Sequence, residues 1–176
     1  MAASTILFFR VAVAVAILDA SLLPTLARYL VLPFVAGVAA LAVAWRSLRG
    51  TKEEPPQPTN PLQLRNAIEM AALFLIVLYV VHYVRGWIGD SGLLASGFIV
   101  GLTDVDALTM SMTRSVSSGT TIEAACRAIV MGVIANSIMK AGIAVAIGTR
   151  RFGVQAGLGL LAMAIAGGAA LIVFAI

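Results

Sequence analysis

The sequence predicts an all-α integral membrane protein with about six transmembrane helices, the fourth of them broken. Of the 176 residues, 61% are hydrophobic and only 11% are charged, against about 45–50% and about 25% in soluble domains. Apolar stretches of about 20 residues, the length that crosses a bilayer, recur along the chain. The third observation is a Gly-x-x-Asp-x-Asp motif, Gly101 to Asp106, inside one of these stretches.

The first two apolar stretches, residues 4–23 and 24–45, predict a two-helix membrane hairpin over residues 1–47. The next segment, 48–60, is rich in proline and charge, and both features prevent a membrane helix. We therefore expect a Pro-rich cytoplasmic linker between this hairpin and the rest of the chain.

Residues 61–176 predict a four-helix membrane domain that carries the motif. The third and fourth helices of the chain are expected at 61–87 and 93–117. The fifth begins after Thr120 or Thr121 and ends near Ile147, and the sixth covers 154–176.

Lysine and arginine between the spans predict the orientation, because cytoplasmic loops carry an excess of these residues. One side collects Arg46, Arg49, Lys52, Arg65, Arg114 and Arg127, and the other collects Arg28, Arg85, Arg150 and Arg151. This majority predicts a multi-pass protein of the bacterial inner membrane with both termini in the cytoplasm. The net charge of +4 is modest and lies at segment ends, so we expect a lipid bilayer and no nucleic acid as partner.

Two carboxylates in the fourth span are the principal candidate site. A carboxylate near the middle of a bilayer costs about 2.5–3.5 kcal/mol on insertion scales, so such residues usually face a cavity, a partner or an ion. Asp104 and Asp106 would lie about 200° apart on a continuous helix. Both can therefore serve one site only if the helix is interrupted, which Gly101 permits.

Two interpretations of this interruption stay open. In the structural one, Thr103 or Asp104 caps a second half-helix, and the carboxylates pair with a nearby cation. In the functional one, the broken helix surrounds an ion or polar solute, as in transporters. Asp104 and Asp106, with the hydroxyls of Thr103 and Thr109, are hard oxygen donors suited to Mg²⁺ or Mn²⁺, or to a proton relay. A divalent cation is the one cofactor that the pattern suggests, with both aspartates as its candidate ligands.

The fifth span carries a matching polar set. Asn136 and Lys140 share one helix face at spacing i, i+4. Counted from the turn near Gly119, Asp104 and Asn136 lie at similar depth, about 22 and 26 Å along their helices. An Asp–Lys pair costs less in lipid than either charge alone, although an ammonium group would compete with a metal ion. Arg10, in the first span, has no obvious partner and is expected to reach the membrane interface.

Three segments carry a family resemblance: Asn-Pro-Leu-Gln-Leu at 60–64, Gly-Leu-Thr-Asp-Val-Asp-Ala-Leu-Thr at 101–109 and Ala-Asn-Ser-Ile-Met-Lys-Ala-Gly at 135–142. The chain resembles the domain of unknown function 4010, a membrane domain that commonly forms the C-terminal part of MgtC/SapB-type bacterial proteins. The likeness covers 60–176 best and the first two helices more loosely. Without an upstream MgtC/SapB-type domain, the chain is expected to be a fragment, a split partner or a stand-alone form. The resemblance makes magnesium homeostasis relevant.

The sequence therefore predicts transport of a Mg²⁺-like divalent cation or small solute, or transport-linked sensing, through an intramembrane Asp/Asn/Lys site. The alternative is a non-transporting structural or regulatory module that assembles with a partner membrane protein or with copies of itself. We expect no enzyme and no catalytic residues. The Asp-x-Asp pair is typical of phosphatases only on a strand of an α/β sheet, and no α/β pattern occurs in this sequence.

Overall fold

The computed structural model describes residues 2–48, 68, 72, 75 and 92–174, and the described backbone is helical. Its main elements are α1 (Ala2–Leu18), α2 (Leu23–Leu48), α3 (Leu93–Thr103), α4 (Val105–Ser117), α5 (Ile122–Ile147) and α6 (Arg150–Val173). The predicted linker and nearly all of the predicted third span lie outside the described residues.

Three segments of the described chain are long and apolar enough to cross a membrane: Ala20–Arg46, Ile122–Ile147 and Phe152–Val173. Two shorter apolar helices accompany them, Ser4–Leu18 and Leu93–Thr103. The chain is thus a helical membrane protein. The total of six spans stays a prediction.

The first helix ends five residues earlier than predicted. Asp19 adopts an extended backbone after Leu18, and its carboxylate accepts a hydrogen bond from the Ser21 amide to cap a short 3₁₀ turn, Ala20–Leu22. This hydrogen bonding with Ser21 lowers the pKa of Asp19. The fifth helix begins as expected, because the Thr121 hydroxyl caps it by accepting from the Ala124 amide at 3.2 Å.

One hydrophobic core joins the helices before the predicted linker to those after it. Val11 of α1 and Leu26 of α2 are buried in the same cluster as Leu108 of α4, Ile129 of α5 and Met163 of α6. The predicted hairpin of residues 1–47 therefore packs into the described part of 61–176.

Close glycine contacts fix the direction of α3. An added Cβ at Gly97 would lie 2.5 Å from the Ala128 carbonyl oxygen, and one at Gly101 would lie 2.2 Å from the Gly132 Cα. Residues later in α3 contact residues later in α5, so the two helices run parallel. Their backbones are in direct contact. Small residues allow this approach in membranes.

Helix α4 then returns along α5 in the opposite direction. A single residue, Asp104, separates it from α3, and it finishes at the turn, 118–121, that leads into α5. The Leu108 side chain lies against Gly132, the residue that Gly101 also contacts. Helices α3 and α4 therefore form a re-entrant hairpin, which we call the α3–α4 hairpin. Its two helices are about 16 and 20 Å long, so its tip lies near the middle of a hydrocarbon core about 30 Å thick.

This hairpin corrects the prediction that 93–117 crosses the membrane in a single pass. Both outer ends of the hairpin lie at the start of α5, where Leu93 and Leu94 line a small cavity with Ala124 and Arg127. The segment is helical as predicted, but the chain reverses direction near the middle of the segment, at Asp104.

Polar contacts at the same end of the bundle also revise the predicted orientation. Arg28, at the start of α2, forms an ion pair with Glu123, at the start of α5, with Nη2 3.0 Å from Oε2. The buried Tyr29 hydroxyl donates to Glu123 and lies 3.1 Å from the Phe174 carbonyl oxygen. Arg28 and Arg127 were predicted on opposite sides but lie at the same end. Because α1 leads into this end and α6 finishes there, the first and last described residues lie at opposite ends.

We predict that Gly101→Ala destabilises the protein. The methyl group would collide with the backbone of Gly132, which cannot rotate away as a side chain can, and overpacking typically costs about 1–3 kcal/mol. Thermal unfolding of the purified protein in detergent measures the effect.

Gly142→Ala is the matched control, because it lies in α5 and nothing comes within 4 Å of an added Cβ there. It should leave stability unchanged or raise it by up to about 1 kcal/mol through helix propensity. Equal melting temperatures for the two variants would contradict the parallel backbone contact.

Candidate functional site

Asp104 forms the tip of the α3–α4 hairpin. Its backbone is extended (φ −149°, ψ 101°), which ends α3. Its Oδ1 accepts hydrogen bonds from the amides of Asp106 at 2.9 Å and Ala107 at 3.0 Å, which caps α4. The two amides would otherwise be unpaired at the start of a helix. One residue thus produces the interruption and satisfies the backbone groups that it exposes, while its side chain stays at the protein surface.

The Asp106 side chain reaches α1. Its Oδ2 accepts a hydrogen bond from Nη2 of Arg10, and the two side chains form an ion pair between α4 and α1. The Asp106 side chain is 42% exposed and that of Arg10 is 61% exposed. Arg10 was expected to reach the interface, and its pairing with Asp106 was missed. The available signal was its position in the middle of an apolar helix, where a charge requires a partner.

The other predicted polar set lies opposite this tip on α5. Since Gly101 contacts Gly132, the next turn of α5 places Asn136 at the level of the hairpin tip. Asn136 is buried, and the structure gives it no hydrogen bond to either aspartate among the described residues. Lys140, one turn further along α5, is half-buried and lies within electrostatic range of both Arg10 and Asp106. The structure therefore places Lys140 within electrostatic range of the Arg10–Asp106 pair, without an ion pair between Lys140 and Asp106.

The two threonines have helical partners. The Thr103 hydroxyl donates to the Val100 carbonyl at 2.9 Å, and the fully buried Thr109 hydroxyl donates to the Val105 carbonyl at 2.8 Å. Such bonds satisfy a hydroxyl in apolar surroundings. A role for Thr103 and Thr109 in holding a ligand stays a prediction.

The arrangement of carboxylates bears on the predicted metal site. Asp104 is engaged with backbone amides and Asp106 with Arg10. No group of three or more His, Cys, Asp or Glu suited to a metal ion occurs within the described ranges. A cation at Asp106 would have to displace the Arg10 guanidinium, so the divalent-cation hypothesis stays a prediction with a defined competitor.

The fold and this site together define a helical membrane protein with a charged re-entrant hairpin. The family profile described as Domain of unknown function (DUF4010) matches residues 1–148. The chain belongs to this family, which confirms the resemblance. The match takes in the first two helices and stops before α6, whereas the resemblance had been placed mainly on 60–176.

The chain is 26% identical over 127 residues to an uncharacterized protein of Aquifex aeolicus (strain VF5), and the aligned part covers 69% of this chain. The chain spans 55% of the length of that relative. No solved structure matches.

We predict that Asp104→Ala lowers the free energy of unfolding by about 0.5–2 kcal/mol, because the amides of Asp106 and Ala107 lose their acceptor. Asp104→Asn and Asp104→Ser retain a capping oxygen and should restore most of this stability. Chemical or thermal unfolding in detergent measures the series. If the asparagine variant is as unstable as the alanine variant, the carboxylate charge is required and capping alone does not explain Asp104.

Proposed function

We propose that this protein is a transport module of the bacterial inner membrane, or a sensor linked to transport, that binds a small ion or polar solute at the tip of the α3–α4 hairpin. One observation carries the proposal: a helix interruption within an apolar segment has Asp104 at its tip and Asp106 in an ion pair with Arg10, with Lys140 within electrostatic range of that pair. Non-helical backbone at membrane depth is tolerated where it is buried in protein or lines a water-filled cavity. Ionisable residues at this depth commonly mark solute and ion pathways.

The exposure of the ion pair supports a cavity. Asp106 and Arg10 are 42% and 61% exposed within the described protein. Contact of these charges with lipid would cost several kcal/mol, whereas water or a polar solute would satisfy them. The side of the hairpin that faces α1 is therefore the proposed position of the pathway.

The proposed site consists of Asp104, Asp106 and Lys140, with Arg10 added to the predicted set. Asn136, Thr103 and Thr109 lie around it as further polar groups. A Mg²⁺-like cation is one candidate ligand and a small polar solute is another, and the transport proposal holds for either. No catalytic step is part of the proposal.

A second candidate function is a structural or regulatory module that assembles with a partner, such as an MgtC/SapB-type domain or a second copy of this chain. The observation in its favour is that the aspartates already have intramolecular partners, the α4 amides for Asp104 and Arg10 for Asp106. A module of this kind needs no water at the hairpin tip. Water access therefore separates the two functions.

We predict that a cysteine next to Asp106 is modified by a charged, water-soluble thiol reagent in sealed membrane vesicles. Ala107→Cys is the test position, because Ala107 is exposed and its replacement leaves every charged residue in place. The background is Cys126→Ala, since Cys126 is the only cysteine of the chain.

Two control positions calibrate the reaction rate. Ser118→Cys lies in an exposed turn outside the spans. Ile165→Cys replaces a 72% exposed residue within the candidate span Phe152–Val173, where an exposed side chain is expected to face lipid. The Ala107→Cys rate should lie closer to that of Ser118→Cys. A rate as low as that of Ile165→Cys would contradict a hydrated pathway and favour the structural module.

A further inference from the structure

We infer that the tip of the α3–α4 hairpin binds a monovalent metal cation, Na⁺ or K⁺, through the backbone carbonyl groups that end α3 and the carboxamide oxygen of Asn136. This inference rests on the proposed function, because it concerns the same hairpin tip, and it names the class of ion. Its ligands are mainly neutral oxygens, whereas the divalent-cation hypothesis relied on the two aspartates.

The carbonyl groups of Gly101, Leu102 and Thr103 are the first observation. The last carbonyls of an α-helix have no donor within that helix, and α3 ends at Thr103. The next amide, that of Asp104, donates to the Val100 carbonyl at 2.9 Å. Among the described residues, no group donates a hydrogen bond to the three carbonyls that follow Val100. These oxygens lie at the negative end of the α3 dipole.

The Asn136 side chain is the second, independent observation. It is only 7% exposed, and in the described part of the chain no group forms a hydrogen bond with its carboxamide. Asn136 continues the line of α5 residues that touches α3, because Gly97 meets Ala128, Gly101 meets Gly132, and Asn136 follows at the same spacing of four.

The end of α3 and Asn136 lie at nearly the same level. Thr103 is about 3 Å beyond Gly101 along α3, and Asn136 is about 6 Å beyond Gly132 along α5. Since Gly101 and Gly132 are in contact and the two helices are parallel, the carboxamide lies just past the last carbonyls of α3. The unpaired groups of the two helices therefore share one place.

Unpaired polar groups in apolar surroundings need a partner, because leaving them without one is costly. The three carbonyls only accept, so they repel an anion and suit either a hydrogen-bond donor or a cation. One water molecule can donate to two acceptors, whereas a metal cation can contact all four oxygens at once. A cation is therefore the occupant that satisfies the whole set.

Asp104 supplies a charged oxygen beside these neutral ones. Its Oδ1 accepts from both α4 amides, which leaves Oδ2 without a hydrogen bond within the described ranges. In discontinuous membrane helices, unwound carbonyls and the C-terminal ends of half-helices coordinate Na⁺. Carbonyl oxygens likewise replace the water shell of K⁺ in channels. The donor set at the tip is of this kind.

The charges around the tip favour a monovalent over a divalent cation. The four ionisable side chains in range, two aspartates, one arginine and one lysine, sum to zero. Na⁺ or K⁺ then adds one uncompensated charge and Mg²⁺ adds two, which costs more where the dielectric constant is low. Sites for divalent cations also draw on carboxylates, and Asp106 is paired with Arg10.

The experiment measures cation-dependent thermal stabilisation of the full chain in detergent, from which Kd is obtained. The protein is purified in choline chloride, and NaCl, KCl or MgCl₂ is titrated in at constant ionic strength. Choline is too large to enter a site lined by backbone carbonyls. The NaCl and KCl series show which of the two ions binds.

Four variants accompany the wild-type chain: Asn136→Ala, Asn136→Asp, Asp104→Asn and Ser137→Ala. Asn136→Asp keeps an oxygen at the position that Asn136→Ala empties. Asp104→Asn keeps the cap of α4 and removes the charge, so it tests the site even if Asn136→Ala does not fold. Ser137→Ala is the matched control, because Ser137 is a buried polar neighbour whose hydroxyl donates to the Val133 carbonyl at 2.8 Å.

We expect Na⁺ or K⁺ to stabilise the wild type and Ser137→Ala equally. Asn136→Ala and Asp104→Asn should raise Kd about tenfold or more, since even outer-shell partners contribute about 10–100-fold to metal affinity. Asn136→Asp should bind more tightly than Asn136→Ala. If Asn136 served only as a donor to the α3 carbonyls, Asn136→Asp would lose that donor and gain no cation dependence.

Three results would overturn the inference. No stabilisation by Na⁺ or K⁺ beyond that in choline would reject the site. Equal stabilisation of the wild type and all variants would show a general salt effect. Stabilisation by Mg²⁺ alone that is lost in Asp104→Asn would assign a divalent cation and leave the proposed function intact. Failure of the proposed function is recognised separately, by protection of Ala107→Cys from the charged thiol reagent.

Discussion

The backbone contact between Gly101 and Gly132 is the constraint on which the site depends. It holds α3 against α5 in parallel orientation, since Gly97 meets Ala128 one turn earlier. The chain then has to return along α4 to reach the start of α5, and the reversal falls at Asp104, three residues after Gly101. The depth of Asp104 and Asp106 in the membrane follows from this contact. A larger side chain at either glycine would separate the helices and move the tip away from Lys140.

A reversal inside a membrane leaves backbone amides without helical hydrogen-bond acceptors, and a neighbouring side chain in the sequence accepts from them. Asp104 accepts from two amides of α4 while its extended backbone redirects the chain. The remaining charge, on Asp106, is compensated by Arg10 of α1, and Lys140 of α5 lies within electrostatic range of this pair. An ion pair thus joins α1 to α4 at a depth where isolated charges are unfavourable. The position of α1 relative to the hairpin is consequently restricted by electrostatics as well as by packing.

The sequence predicted the local features of this site better than its long-range ones. The interruption within Gly101–Asp106, a capping role for Asp104 and the shared depth with α5 follow from helix geometry and capping chemistry. The reversal of direction does not, because 93–117 has the length and hydropathy of a crossing helix, and periodicity carries no information on chain direction. The Arg10–Asp106 pair joins residues 96 positions apart, a separation that no local pattern encodes. The same ambiguity led the count of basic residues to place Arg28 and Arg127 on opposite sides.

The charge composition of the tip argues that it is more than a structural joint. A joint that lies at membrane depth is built at lower cost from apolar residues, because charged side chains there are unfavourable. Asp104 alone suffices to cap α4 and end α3, so Asp106, Arg10 and Lys140 are not needed for the reversal itself. The side chains of Arg10 and Asp106 are also both more than 40% exposed, so a ligand can reach either member of the ion pair. Accessible charges at this depth are expected of a site whose occupant changes.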